Sequence, residues 1–497
     1  MSSSEINERL FDEKLTQLES VRSWSPRVIS RLETTIRTAD DYDLFRINPL
    51  RYAADRNMAE NEAIDLFLYG TKFGLFEMEW HLICPSCGHV VESFSELAHL
   101  HTHYVCASCT AEYTAALDDY IEVSFTISPQ IRDNAFRHPD SLSIADYYLK
   151  YHLSKALLPT PTVENYTGEH SVMFYLEPQE TRRFTIDLVP GICVLRGRSR
   201  LPAIVLLVSP AGSPEKQVYS LQALEGNLEP LDQPLEPTQI QGPVFTRNSP
   251  RTGYVNSGVF EFNVENLMER HMPMWLSNFS PENAGGENFV TLAPFLNGKK
   301  LLTTQTFRDL FRTEIVQADE GIGVRDITFL FTDLKGSTAM YDTIGDAKAY
   351  YLVRQHFDTL GKSIVENSGA VVKTIGDAVM ATFLNPQDAV KAAIAMLQGV
   401  ESFNRSISQE IILKIGIHRG HSIVVTLNDR LDYFGQTVNI AARVQGLADA
   451  KEIFITDDAF NTPGMEQAVA DCVVSAEQVS LKGVSGKLRV HKITLHA

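Results

Sequence analysis

The sequence predicts an α+β protein in which a small cysteine-bearing unit and a β-rich stretch precede an alternating C-terminal domain. Three observations carry this. Cys84-Pro-Ser-Cys87 and Cys106-Ala-Ser-Cys109 form two close pairs separated by 18 residues. Between about Thr160 and Phe262, short apolar runs recur between prolines and glycines. From Ile327 onward the apolar patterning follows the order strand, helix, strand, strand, helix, strand.

Composition sets the frame. The chain has 497 residues, 44% hydrophobic and 21% charged, the make-up of an ordinary globular protein of two to four domains. Its 62 acidic against 44 basic side chains leave a formal charge of −18, which argues against a protein that coats DNA or RNA. Residues 321–497 hold 17 basic and 19 acidic groups, so nearly all of the excess lies in residues 1–320. No run approaches the roughly 20 apolar residues of a membrane span. Met1-Ser-Ser-Ser-Glu lacks the basic start and apolar stretch of a secretory signal, so a cytoplasmic location is expected.

Residues 1–74 read as a helical region. Within it Met58 to Phe73 has apolar residues at helical spacing, Gly74 offers a stop, and Phe76, Met78, Trp80 and Leu82 alternate as in a half-buried strand. Residues 75–130 then carry the two knuckles. Thiolates so spaced can close a tetrahedral shell, which predicts a zinc ribbon with Cys84, Cys87, Cys106 and Cys109 as ligands; a redox dithiol pair or free cysteines are the alternatives. His89, His99, His101 and His103 lie between the pairs and are expected to be surface or neighbouring groups, while Cys193 and Cys472 stand alone and should fill core space.

Residues 131–302 read as a β-rich, sandwich-like domain, with strands expected at Ser171–Leu176, Phe184–Leu188, Ile204–Val208 and Gly258–Phe262. Ser209 to Pro243 carries six prolines and reads as a long loop or an excursion between strands. Residues 303–322 read as a helix, Thr303 to Val316, followed by a polar hinge from Gln317 to Gly323.

Residues 323–497 alternate clearly. Strands are expected at Ile327–Thr332, Ala370–Thr374, Ala378–Phe383, Ile411–His418 and Ile423–Leu427, with helices at Ala347–Asn367 and Asp388–Phe403. That order suits a ferredoxin-like βαββαβ unit with helices on one sheet face. Asp333 ends the first strand before a glycine-bearing turn, and Asp377 sits in the hairpin turn Ile375-Gly376-Asp377. In such a sheet the two carboxylates can converge, and hard divalent cations favour that arrangement together with substrate phosphates. His418, inside an apolar strand, is expected to be a satisfied core residue.

With these residues in view, the segment from Val324 to Ile493 resembles the catalytic domain of the class III nucleotidyl cyclases. The stretches that carry the resemblance are Phe329-Leu-Phe-Thr-Asp-Leu-Lys-Gly-Ser-Thr338, Val372-Lys-Thr-Ile-Gly-Asp-Ala-Val-Met380, Asp432-Tyr-Phe-Gly-Gln-Thr-Val-Asn-Ile-Ala-Ala-Arg443 and Leu481-Lys-Gly483. It implies that Asp333 and Asp377, helped by the Leu334 carbonyl, hold two Mg²⁺ or Mn²⁺ ions. It implies further that Lys373 and Asp432 read the purine, that Asn439 and Arg443 act on the transition state, and that Lys482 contacts the terminal phosphates.

Adenine offers an amino donor to Asp432 and an N1 acceptor to Lys373, whereas guanine would oppose like groups, at about 1 to 3 kcal/mol for each unpaired buried group. ATP is therefore the expected substrate and adenylate cyclase the expected activity. The alternatives are guanylate specificity, or a catalytically weak regulator whose ribbon binds nucleic acid or protein.

Lys373 and Asp377 are four residues apart across a tight hairpin and do not readily face one nucleotide. The resemblance implies a homodimer with two shared sites, metals held by one protomer and Lys373, Asp432, Asn439, Arg443 and Lys482 supplied by the other. Residues Asp41 to Thr313 look like a zinc-containing region that precedes cyclase domains in some bacterial proteins. That likeness implies a regulatory role, with Thr303 to Val316 as the transducing helix and an unidentified ligand or protein as the signal.

Overall fold

The computed structural model describes residues 5–106, 112–159, 170–198, 204–213, 215–224, 227–230, 252–279, 290–312, 321–405, 407, 410–427 and 430–496. The chain divides into two compact units. One comprises residues 1–95, 101–115 and 120–296, and the other residues 96–100, 116–119 and 297–497. Among the described residues no helix is long and apolar enough to cross a membrane.

The N-terminal unit opens with α1 (Glu8–Ser20), α2 (Val28–Thr38), α3 (Pro49–Arg56) and α4 (Glu60–Phe73). Gly74 ends α4 in the left-handed conformation, its N–H returning to the helix, as a glycine just past a helix end is suited to do. The chain then enters β1 (Phe76–Ile83), which lies between β2 (Val90–Phe94) and β5 (Ile121–Ile127), while β3 (His103–Val105) and β4 (Glu112–Thr114) make a separate two-stranded ribbon.

The β-rich stretch holds β6 (Ser171–Leu176), β7 (Thr181–Leu188), β8 (Gly191–Arg196), β9 (Ile204–Gly212), β10 (Gln217–Leu224), β11 (Asn227–Pro230), β12 (Thr252–Asn266) and β13 (Met272–Phe279). Strand β12 changes partners along its length. Residues 252–257 pair with β9, whereas beyond Gly258, which has φ +128°, it pairs with β7 and β10. Side chains from both halves, Val255 and Phe260 among them, share one core with Leu206, Leu221 and Met274.

The proline-rich stretch differs from the sequence expectation in its first part. Gln217 to Leu224 is a strand whose Tyr219, Leu221 and Ala223 are buried at period two, a pattern that the flanking prolines obscured. Residues 231–250 lie outside the described residues.

The C-terminal unit begins with α5 (Gly298–Leu302) and α6 (Gln305–Leu310). Helix α6 is shorter than the expected Thr303 to Val316: it ends where Phe311 leaves helical geometry, and residues 313–320, including most of the expected hinge, lie outside the described residues. There follow β14 (Ile322–Leu334), α7 (Ser337–Ile344), α8 (Asp346–Glu366), β15 (Gly369–Ile375), β16 (Ala378–Phe383), α9 (Pro386–Asn404), β17 (Leu413–Leu427), β18 (Arg430–Phe434), α10 (Gln436–Gln445), β19 (Glu452–Thr456), β20 (Cys472–Val479) and β21 (Leu488–Leu495).

The sheet runs β15-β16-β14-β17-β19-β21-β20, with β18 folded back on β17. Two expected strands, Ile411–His418 and Ile423–Leu427, are one continuous β17 because its pairing with β14 resumes at Ser422 after a bulge that follows Gly420. Leu330, Ile415 and Ile417 of the sheet bury against Leu360 and Ile364 of α8 and Ala393 and Met396 of α9. At about 25 cal/mol per Å² of apolar area, this layer is what fixes the strand ends that carry the site.

Candidate active site

Asp333 stands one residue from the end of β14, opposite Lys414 of β17, whose ammonium lies 3.0 Å from Asp333 Oδ2. Phe331 pairs with Met380, and the same antiparallel register continued two residues brings Asp333 opposite Ala378, next to Asp377 in the β15–β16 turn. The Val379 N–H donates to Thr332 Oγ1 at 3.0 Å and ties the two strands together at this point. Gly376 permits the tight reversal with φ +63°.

Asp377 Oδ2 is buried and accepts no hydrogen bond. A buried carboxylate oxygen without a donor is costly, and a hard cation would satisfy it. Two carboxylates carried at adjacent strand ends are donors of the kind that Mg²⁺ or Mn²⁺ takes. Lys414 was not singled out from sequence. Its signal is a lone lysine inside the apolar run Ile411-Ile-Leu-Lys-Ile415.

The residues expected to read the base come together within the chain. Lys373 of β15 and Asp432 of β18 form an ion pair in which the Asp432 side chain is only 8% exposed and that of Lys373 38%. The other oxygen of Asp432 accepts the Tyr433 N–H at 2.8 Å, which orients the carboxylate. Strand β18 supplies the placement, because Asp432 pairs with Val425 of β17 in the hairpin.

Asn439 and Arg443 lie one turn apart on α10, Asn439 exposed and Arg443 half-buried. A glycine lets this helix sit where it does. A Cβ at Gly416 would stand 2.1 Å from the backbone nitrogen of Gln445, so β17 admits the helix end only because that side chain is missing. A Cβ at Gly483, with φ +72°, would stand 3.4 Å from the Arg443 guanidinium. The Leu481-Lys-Gly483 turn therefore passes next to Arg443 at Gly483, and Lys482 in that turn is exposed.

His418 is buried and hydrogen-bonded through Nδ1 to Thr456 Oγ1 at 2.8 Å, and burial pushes its pKa down to about 4. It is a satisfied core residue.

In the N-terminal unit, Cys84, Cys87 and Cys106 are buried with their sulfurs within 4.8 Å of one another. Cys87 Sγ and Cys106 Sγ are 3.7 Å apart. Thiolates about 2.3 Å from a tetrahedral zinc stand roughly 3.8 Å from each other, so the spacing fits that ion. The first knuckle is closed by the Gly88 N–H donating to the Cys84 carbonyl at 2.9 Å and the Cys84 N–H donating to the His89 carbonyl at 2.8 Å. Cys109 lies outside the described residues. His99, His101 and His103 are exposed, and His89 is buried.

Two stretches of the chain match known families. Residues 323–496 match the "Adenylate and Guanylate cyclase catalytic domain". An adenylate cyclase of Anabaena cylindrica is 29% identical over 185 residues, 34% of this chain and 37% of that protein. A pH-sensitive adenylate cyclase of Mycobacterium tuberculosis is 25% identical over 199 residues, 37% of this chain and 46% of that one. The chain thus spans less than half the length of either relative. The crystal structure of the adenylyl cyclase CyaB of P. aeruginosa covers 35% of this chain and 97% of its own, at 22% identity and a TM-score of 0.32. Residues 11–309, more than half of the chain, match the "Family of unknown function (DUF5939)", a description that assigns no metal. The chain belongs to that family and carries, after its family-defining region, an adenylate and guanylate cyclase catalytic domain.

Proposed function

We propose that the protein is an adenylate cyclase, forming 3′,5′-cyclic AMP and pyrophosphate from ATP in a homodimer, under the control of its N-terminal region. The observation that carries this is the pair of neighbouring carboxylates, Asp333 and Asp377, with an unsatisfied buried oxygen on the second. A ferredoxin-like reading of the domain is supported by the strand order β15-β16-β14-β17.

Asp333 and Asp377 would hold two divalent cations, which supply Lewis-acid activation of the ribose 3′-hydroxyl and charge neutralisation at the leaving pyrophosphate. Asp432 accepts the adenine amino hydrogen and Lys373 donates to N1; their mutual ion pair keeps both groups oriented toward one base. Arg443, braced under Gly483, offers a planar fork of donors to the charge that grows on the α-phosphate oxygens. Asn439, one turn earlier, orients the ribose, and Lys482 binds the terminal phosphates. A second copy of the chain as partner is supported by apolar side chains left exposed around the site, Phe434 at 64%, Ile375 at 51% and Leu427 at 50%.

The test is a panel of ATP, GTP, CTP and UTP with the purified chain and Mg²⁺ or Mn²⁺. Cyclic AMP is expected to exceed the other cyclic products by at least about tenfold in kcat/KM, as one mismatched buried polar pair implies. Cyclic GMP as the main product would overturn the base assignment.

We also propose that Cys84, Cys87, Cys106 and Cys109 hold a structural zinc. Metal analysis should find one zinc per chain, and Cys106→Ser should release it and speed amide exchange in residues 75–125. A native chain without zinc would count against the ribbon.

A further inference from the structure

Helix α6 is hydrogen-bonded to the backbone close to Lys373 and to the backbone next to Asp432. The ladder between β15 and β16 slips between Val371 and Lys373, so the strand bulges just before the lysine. Gln305 Oε1 accepts the Val371 N–H at this bulge, at 2.8 Å. The amide of Gln305 is held in that orientation because its NH₂ donates to Asp309 Oδ1 at 3.0 Å.

One turn further along α6, Arg308 serves the other strand. Its Nη1 donates to the carbonyl of Leu431 at 3.1 Å, and its guanidinium stands 5.4 Å from the ring centre of Tyr433. Leu431 and Tyr433 flank Asp432, and the Tyr433 N–H is the donor that orients the Asp432 carboxylate. Arg308 is itself anchored, its Nε donating to the Leu302 carbonyl at 3.0 Å. Gln305 and Arg308 line a small cavity of about 250 Å³ together with Lys373, Thr374 and Arg430.

Both residues fall inside the region that matches the N-terminal family and outside the match to the cyclase domain. We propose that Gln305 and Arg308 are positioning residues that set base selection, holding the Lys373–Asp432 pair in the geometry that prefers adenine. The inference rests on the adenylate cyclase reading and adds that specificity is fixed from outside the catalytic domain. A displacement of α6 would loosen the bulge and the β18 hairpin together, and the preference for ATP over GTP would fall before turnover does.

The test uses full-length chains carrying Gln305→Ala, Gln305→Glu, Arg308→Gln or Arg308→Lys, with kcat and KM measured for ATP and GTP and the melting temperature recorded for each. Gln305→Ala and Arg308→Gln are each expected to raise the KM for ATP about five- to tenfold, the loss of one hydrogen bond, with kcat within about twofold. The ATP-to-GTP ratio of kcat/KM should fall by at least about fivefold. Arg308→Lys keeps a charged donor for Leu431 and should recover most of the ratio, whereas Gln305→Glu keeps the acceptor for Val371 but sets a carboxylate against Asp309 and should recover only part of it. An unchanged ratio in Gln305→Ala and Arg308→Gln, or a fall in kcat with the ratio intact, would overturn the inference. Should Arg308→Gln fail to fold, the Gln305 pair decides alone. A wild-type chain that makes no cyclic nucleotide in the same assay rejects the adenylate cyclase reading and this inference with it, whereas an active wild type with unaltered variants rejects the inference only.

Discussion

Asp333→Ala is expected to lower cyclic AMP formation about a thousandfold while leaving the fold in place. The size follows from the role. A cation held at the reacting oxygens is worth several kcal/mol of transition-state stabilisation, and about 4 kcal/mol is a thousandfold. Structurally the substitution deletes one partner of Lys414, but both side chains are partly solvent-exposed, so the stability cost should stay near or below 1 kcal/mol. Steady-state assays with Mg²⁺ and Mn²⁺, beside a melting curve, check this. A variant that kept more than a tenth of wild-type turnover would remove Asp333 from the metal set.

Arg443→Ala is expected to lower kcat about 100- to 1,000-fold, the range found when one preorganised donor to a developing oxyanion is removed. KM for ATP should change little, because the charge that Arg443 meets is larger in the transition state than in bound substrate. Arg443→Lys should recover only a small part, since a lysine offers a point charge where the guanidinium offers two donors in a plane. A rise in KM with kcat unchanged would place Arg443 in ground-state binding.

Much of the C-terminal unit was legible because its signals are local. The run Ile327 to Thr332 ends in Asp333, and the Ile375-Gly376-Asp377 turn separates two apolar strands, so both carboxylates could be placed at strand ends before any contact was known. The four-residue step from Asn439 to Arg443 fixed their common helix face in the same way.

Other features could not be read because they are long-range. Nothing near Lys414 announces that it will stand across the ladder from Asp333. Nothing near Gly416 says that α10 must pass within 2.1 Å of where its Cβ would be. The attachment of Gln305 to Val371, 66 residues away, is a side-chain bond to a bulge, and neither the bulge nor its partner has a sequence period. The strand Gln217 to Leu224 is hidden for a different reason: Tyr219, Leu221 and Ala223 alternate, but prolines on either side favour a loop.

The cysteine cluster falls between these cases. The spacing of the pairs named the residues, and the structure brings three of the sulfurs together.

The most direct measurement of the central claim, a cyclase site built from two copies of this chain, mixes two dead variants. Asp333→Ala and Arg443→Ala chains are combined in equal amounts and allowed to exchange, with exchange verified by differently tagged chains. Half of the dimers should then be mixed, and each mixed dimer should hold one intact site and one doubly damaged site. The mixture is expected to form cyclic AMP at roughly a quarter of the wild-type rate, from symmetry alone. No recovery despite proven exchange would contradict the account.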